Sequence, residues 1–342
     1  MQLLKQSFEI LEQEIPVRKL DDSNESYKNR YLEYMYKHIE KCGRTCYKSE
    51  DRITEDSATR FVNGLIKSEH LSVLEHGAIY LRLPYNDDCD KYAKILEKYD
   101  KNPYSRISTS EYAYLTTTYR VIIENHWEED LQYLCEPTEY HEKRYTVLLH
   151  SCIHTYKDLT RHRKMSFSIE STRYVNYSKT DKFGEMKFVL PPWCKYISPG
   201  ETYWHDGICY RTGATEENNF MGDRSWTTPH NGEDEKEWKA ELTFIRKLDE
   251  VSRTYNELIK LDWQPQQAAE ILPQCTAADV IMSGYSSDWE FIFRLRTSYI
   301  HETGAPHPLV SEIMDSLYDE FINREYIKTP KFIEEDKDEL PL

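Results

Sequence analysis

The apolar positions of this chain fall into helix-length stripes and a few strand-length runs that never settle into a regular alternation, and this confines the fold more than any other feature. In residues 54–70, Ala58, Phe61, Val62, Leu65 and Ile66 recur at helical spacing, which predicts an amphipathic helix packed on a sheet. Residues 77–83 form a short apolar run stopped by Pro84 and predict a strand; residues 145–152, with Val147, Leu148 and Leu149 in a row, predict another. A stripe of Trp238, Leu242, Ile245, Leu248 and Val251 predicts a helix over 235–260. A short helix opens at Pro265 and stops at Pro273, and further helices are expected over 288–296 and 308–321. Strands flanked by runs of helix, without βαβ repetition, predict an α+β fold with a mixed or antiparallel sheet.

Whether such a pattern can close a core depends on apolar area. Charged residues make up 30% of the 342, but 27 Tyr, 11 Phe and 7 Trp supply the bulk that disordered chains lack. The expected organisation is a single catalytic domain over 1–328 carrying polar insertions at about 84–143 and 199–260. An acidic, disordered tail is expected over 329–342, and residues 199–233, rich in Gly, Asn and Asp, read as an inserted loop.

The net charge of -16 argues against binding a nucleic acid polymer, while leaving a small anionic ligand open. No run is long and apolar enough to span a bilayer, and Glu9, Glu12 and Glu14 interrupt the start of the chain, so a cytoplasmic protein without membrane contact is expected. The eight cysteines form no CxxC pair and no Cys/His spacing suited to zinc; they read as reduced thiols, and no metal is expected.

One stretch stands against the overall charge. Residues 157–174 hold Lys157, Arg161, Arg163, Lys164 and Arg173 against Asp158 and Glu170. This is either a solvated basic turn or an anion site. If Arg161-His162-Arg163 is extended, the two guanidinium groups project to one side and the imidazole to the other, so one tripeptide could touch two ligands. Downstream, Trp289, Ile292, Phe293 and Arg296 share one helical stripe, placing a guanidinium where it either reaches solvent at the helix end or needs an anionic or carbonyl partner.

Arg161-His162-Arg163, seven residues and then Ser171, continuing to Arg173-Tyr174, resembles the RHRx7S signature of the flavin-dependent thymidylate synthases, or ThyX family. Arg44-Thr45-Cys46-Tyr47 and the block from His70 to His76 are similar to that family's N-terminal blocks. Leu272-Pro273, Leu295-Arg296 and His307-Pro308 are similar to its C-terminal ones. The resemblance implies a ThyX-like fold and reductive methylation of dUMP to dTMP, with 5,10-methylenetetrahydrofolate as carbon donor and NADPH-reduced FAD as hydride source. It also implies a homotetramer whose active sites are shared between subunits.

By the same resemblance, dUMP would meet Asp158, Arg161, Ser171, Arg173 and Arg296. Arg296 would stabilise charge developing on the uracil ring, and Ser171 would act as a binding position of the catalytic site rather than a nucleophile. FAD would meet His70, Ser72, Arg161, His162, Arg163, Lys164 and His307. The chain departs from the family pattern at Ala269, Ile169 and Phe291, where relatives commonly carry Arg, Glu or Gln, and Asn or His, respectively. These departures leave two alternatives: a related pyrimidine nucleotide methylase or hydroxymethylase with an altered substrate, and an inactive flavin- or nucleotide-binding homologue.

Overall fold

A computed structural model describes residues 1–84, 89–179, 185–197, 202–205, 208–211, 232–300 and 304–328. The chain opens with β1 (Gln2–Leu4) and β2 (Ser7–Leu11), then α1 (Asn24–Thr45) and α2 (Ser57–Lys67). A 3-10 turn (Leu71–His76) leads into β3 (Ala78–Pro84), followed by α3 (Cys89–Asp100), β4 (Arg106–Thr109), β5 (Tyr112–Thr118) and α4 (Tyr119–Glu124). Next come β6 (Arg144–Cys152), α5 (Ile153–Leu159), β7 (Ser166–Ile169) and β8 (Lys187–Val189). A hairpin of β9 (Thr202–His205) and β10 (Ile208–Arg211) precedes α6 (Gly232–Lys260) and α7 (Pro265–Ala268). The described part closes with β11 (Ala277–Tyr285), α8 (Ser286–Arg296) and α9 (Pro308–Asn323).

The central sheet has the order β2-β6-β11-β7 and is antiparallel throughout. Strand alternation sends Val147, Leu149, Val280 and Met282 to one face, where Trp289, Ile292 and Phe293 of α8 and Ile313, Met314 and Leu317 of α9 cover them. Leu148 and Ile281 face the other way and pack with Leu11 and Cys42 of α1. A second antiparallel sheet, β3-β5-β4, shares a core with α1 and α2. A third core joins α6 to the parallel pair β1–β8. The architecture is α+β with helices outside antiparallel sheets.

The expected strands and helices therefore form close to where periodicity placed them, with one correction. The helix over 54–70 packs on α1 rather than directly on a sheet: Gly43 of α1 leaves room for the Phe61 ring, which a Cβ there would meet at 2.7 Å. Within the polar stretch 84–143, β4 and β5 pair with β3 and bury Ala113 and Leu115. Within 199–233, residues 202–205 and 208–211 pair as a hairpin; the rest of that expected loop, and the acidic tail over 329–342, lie outside the described residues. Among the described residues no helix is long and apolar enough to cross a membrane.

Candidate active site

The site is built around the join between β6 and β7. After β6, the short helix α5 carries His154 and Asp158, four residues apart and so on one helical face. The chain then turns instead of extending: His162 N–H donates to the Leu159 carbonyl at 3.0 Å, and Met165 N–H to the His162 carbonyl at 3.0 Å. The extended case considered for Arg161-His162-Arg163 is therefore not the one the chain adopts. The two-sided display survives for a different reason, because the turn buries His162 and leaves Arg161, Arg163 and Lys164 exposed.

Arg296 closes the site from the last turn of α8. Its three predecessors on the stripe are fully buried, Trp289 at 0%, and the guanidinium keeps 18% exposure. Arg296 Nε–H donates to His162 Nε2 at 3.1 Å, and an Nη2–H to the Asp158 backbone carbonyl at 3.2 Å. A carbonyl partner thus takes one N–H of the guanidinium within the chain. Asp158 Oδ2 stands 4.0 Å from Arg296 Nη1, and Asp158 Oδ1 lies 3.3 Å from Arg161 Nη2. Because Nε2 accepts, His162 is the neutral Nδ1–H tautomer. Burial, then the Arg296 charge, push its pKa down to about 4.

His307 sits at the N-cap of α9, where Pro308 begins the helix. Its Nδ1 accepts the Leu309 N–H at 3.2 Å, which requires an unprotonated Nδ1. Burial and the neighbouring His154 hold its pKa below the usual histidine range. The His307 and His154 rings lie 4.0 Å apart, and Trp193, 53% exposed, stands edge-on to His307 at 5.8 Å. Phe291, 48% exposed, approaches His162 edge-on at 6.1 Å. Sequence reasoning missed His154 and Trp193. The i, i+4 relation of His154 to Asp158 was a usable signal; Trp193 had none.

The structure thus brings Asp158, Arg161, His162 and Arg296 into one bonded group, with His307 beside Asp158, whose charge it feels. Ser171 and Arg173 make contacts of their own: Ser171 N–H donates to the Cys46 carbonyl at 2.9 Å, and Arg173 stacks over Tyr174, itself 5.4 Å from Tyr47. His70 and Ser72 are exposed at the 3-10 turn before β3. Ala269 follows α7 and contributes no cation.

Alternate residues of the signature face inward. Ser168 hydrogen bonds with His76 Nε2 at 2.9 Å, whose Nδ1 meets Ser283 Oγ at 2.7 Å. Glu170 Oε1 accepts from Tyr177 at 3.2 Å, and Oε2 from the Asp279 N–H at 3.0 Å. Among the described residues, no group of three or more His, Cys, Asp or Glu could hold a metal ion, and Cys42, Cys46, Cys135, Cys152, Cys194 and Cys275 are free thiols.

Fold and site together define an α+β protein with a cationic turn set against a guanidinium–imidazole pair. The sequence model of the family described as Thymidylate synthase complementing protein (Thy1) matches residues 138–304, which contain the whole of that pair. That match covers just under half of the chain, and over this stretch the chain is similar to the ThyX family. It is 28% identical over 129 residues to a flavin-dependent thymidylate synthase from Haloarcula marismortui, covering 36% of this chain and 42% of that one; it thus spans about two-fifths of that curated relative.

Among solved structures it is similar to a UMP/dUMP methylase PolB from Streptomyces cacaoi, with 14% identity, TM-score 0.40, and coverage of 94% of this chain and 92% of that one. It is also similar to Thymidylate Synthase X from Helicobacter pylori solved with FAD and dUMP, with 13% identity, TM-score 0.29, and coverage of 52% and 66%.

Proposed function

We propose that this chain is a flavin-dependent thymidylate synthase that methylates dUMP reductively, using 5,10-methylenetetrahydrofolate as carbon donor and NADPH as the source of reducing equivalents. The observation that carries the reading is the Arg296 guanidinium, fixed by His162 and the Asp158 carbonyl with Nη1 still 4.0 Å from any carboxylate oxygen of Asp158. A planar donor held this way is preorganised for a pyrimidine carbonyl and for negative charge growing on the ring, without rearranging as that charge appears.

The donor set also fits FAD. Arg161, Arg163 and Lys164 are exposed cations on one turn, suited to a pyrophosphate, and His307, next to Asp158, forms an aromatic group with His154 and Trp193. FAD, when bound and reduced, supplies the hydride. The protein's own part is to hold the nucleotide: Asp158 orients Arg161 and Arg296, while the neutral His162 accepts from Arg296 and carries no charge that would compete for an anion. Ser171 and Arg173 are proposed to bind dUMP, and His70 and Ser72 to bind FAD.

The assembly proposed with these roles is a homotetramer in which copies complete each other's sites. Residues 1–328 are proposed to act as one catalytic domain, in the cytoplasm.

A second reading has a specific observation behind it. The exposed Phe291 ring beside His162, with Ala269 contributing no cation, offers apolar contact where relatives commonly place polar groups. That favours a related pyrimidine nucleotide. The test is the visible absorbance spectrum of protein incubated with FAD, titrated with dUMP and separately with dCMP, followed by anaerobic turnover with each. A flavin band perturbed by dUMP, with dTMP formed, supports the first reading, and perturbation by dCMP alone supports the second. Protein that takes up no flavin would refute both.

A further inference from the structure

On the opposite face of the central sheet from Arg296 lies a cavity of about 810 Å³, within the size range of small-molecule sites. Its floor is a row in register: Ser7 of β2 pairs with His150 of β6, and His150 with Asp279 of β11. All three point to the α1 face, because Leu148 and Ile281, two residues along from His150 and Asp279, pack on Cys42 of α1. Lys48, just past α1, completes the floor, with Glu170 behind it.

The hydrogen bonds determine what the floor presents. Asp279 Oδ1 accepts from His150 Nδ1 at 2.7 Å, and its Oδ2 accepts from Lys48. Glu170, whose side chain is 4% exposed, takes Lys48 at 3.1 Å as well as Tyr177 and the Asp279 N–H. Every carboxylate oxygen of Asp279 and Glu170 is therefore occupied. Lys48 still has a third N–H, and His150 Nε2 has no partner among the described residues. Leu4, Val175, Ala277 and Ala278 add apolar wall.

We propose that this cavity is a second ligand site, which takes a small organic anion whose carboxylate or phosphate headgroup sits on His150 Nε2 and Lys48 Nζ. The body of the ligand lies on the apolar wall. At the mouth, exposed Lys5 and Lys187 face exposed Glu50, Asp51 and Glu185, a balance that admits one acidic group and disfavours polyanions. The direction of the His150 pKa agrees with the assignment: the Asp279 hydrogen bond raises it, burial and Lys48 oppose that, and the charges of Asp279 and Glu9 add to it. Nothing in this inference depends on flavin or dUMP binding.

The test uses the full chain with 13C-labelled histidine and two probes, benzoate and phenyl phosphate. The His150 resonance is identified by its loss in His150→Gln, a change that keeps an N–H donor for Asp279. Saturable movement of that resonance by phenyl phosphate alone assigns a phosphate headgroup; movement by benzoate alone, or by both, assigns the carboxylate type. Calorimetry should show the active probe binding roughly tenfold more weakly, or worse, to His150→Gln, as expected for a lost charge-assisted hydrogen bond. The proposal is overturned if neither probe moves His150, if His162 and His307 respond without it, or if His150→Gln binds as well as the parent.

Discussion

Arg296→Met removes a cation while keeping an unbranched side chain, and its effect can be read on His162 before any turnover is measured. A unit charge about 4 Å away is worth about 1 kcal/mol in bulk water and about 4 kcal/mol at an effective dielectric of about 20. At 18% exposure the guanidinium falls between these limits. His162, now pushed down to about 4, should therefore rise by about one pH unit or more in the variant, each unit being about 1.4 kcal/mol. It should stay below 6.5, because burial, the larger cause, remains. The assay is an NMR titration of the imidazole, accompanied by kcat/KM for dUMP, expected to fall about a hundredfold or more if the guanidinium meets developing charge. An unchanged His162 titration would refute the pairing, and unchanged kinetics would refute the role.

Three further outcomes are expected. Burial pushes His38 to about 4 and His76 to about 3, and His162 lies at about 4, all below 6.5, so the unfolded chain takes up these protons first. Stability should hold above pH 6.5 and drain as pH falls toward 4, and a urea midpoint flat across that window would contradict it. Lys48→Met leaves Glu170 and Asp279 without their shared ammonium, costing about 2–4 kcal/mol after allowing for partial exposure of Lys48. Burial raises the Glu170 pKa, so the loss should shrink on acidification as that carboxyl protonates; an equal loss at neutral and mildly acidic pH would count against the buried pair.

Gly43→Ala should destabilise by about 1 kcal/mol, since a Cβ 2.7 Å from Phe61 and 2.8 Å from Val73 overpacks by about 1–3 kcal/mol against roughly 1 kcal/mol of helix propensity gained. A raised unfolding midpoint would disprove the close α1–α2 approach.

The helices over 57–67, 232–260 and 308–323 were legible because each buries one continuous stripe, and β3 and β6 because short apolar runs ended at Pro84 and Cys152. The strands β5 and β7 were not. Their buried positions include Thr116, Thr117, Ser166 and Ser168, and the hydroxyls of Thr117, Ser166 and Ser168 find partners across the fold, so no continuous apolar alternation marks them. The Arg296–His162 contact spans 134 positions and joins two segments that were each read alone; the partner was predictable as a class, a carbonyl or an anion, but not as a residue.

His150, Asp279 and Lys48 left no trace at all, because register between β2, β6 and β11 is what makes a site of them.

The signature itself divides along the same physical line. His162, Ser168 and Glu170 point inward and carry hydrogen bonds that tie β7 to α8, to the 3-10 turn and to β11; Arg161, Arg163, Lys164 and Arg173 point outward. Losing an inward member leaves a buried polar partner unpaired, at about 1–3 kcal/mol, before any ligand arrives. Losing an outward cation should cost the free protein little, since a solvent-exposed guanidinium such as that of Arg161 gains little from an ion pair like the one with Asp158. Loss of activity in Ser168→Ala or Glu170→Gln thus cannot separate a binding role from a folding one, whereas in Arg163→Ala it can. Arg163→Ala should keep the parent's unfolding midpoint and lose affinity for FAD; a lowered midpoint with unchanged affinity would show that this cation serves the fold and that the turn is not the flavin's seat.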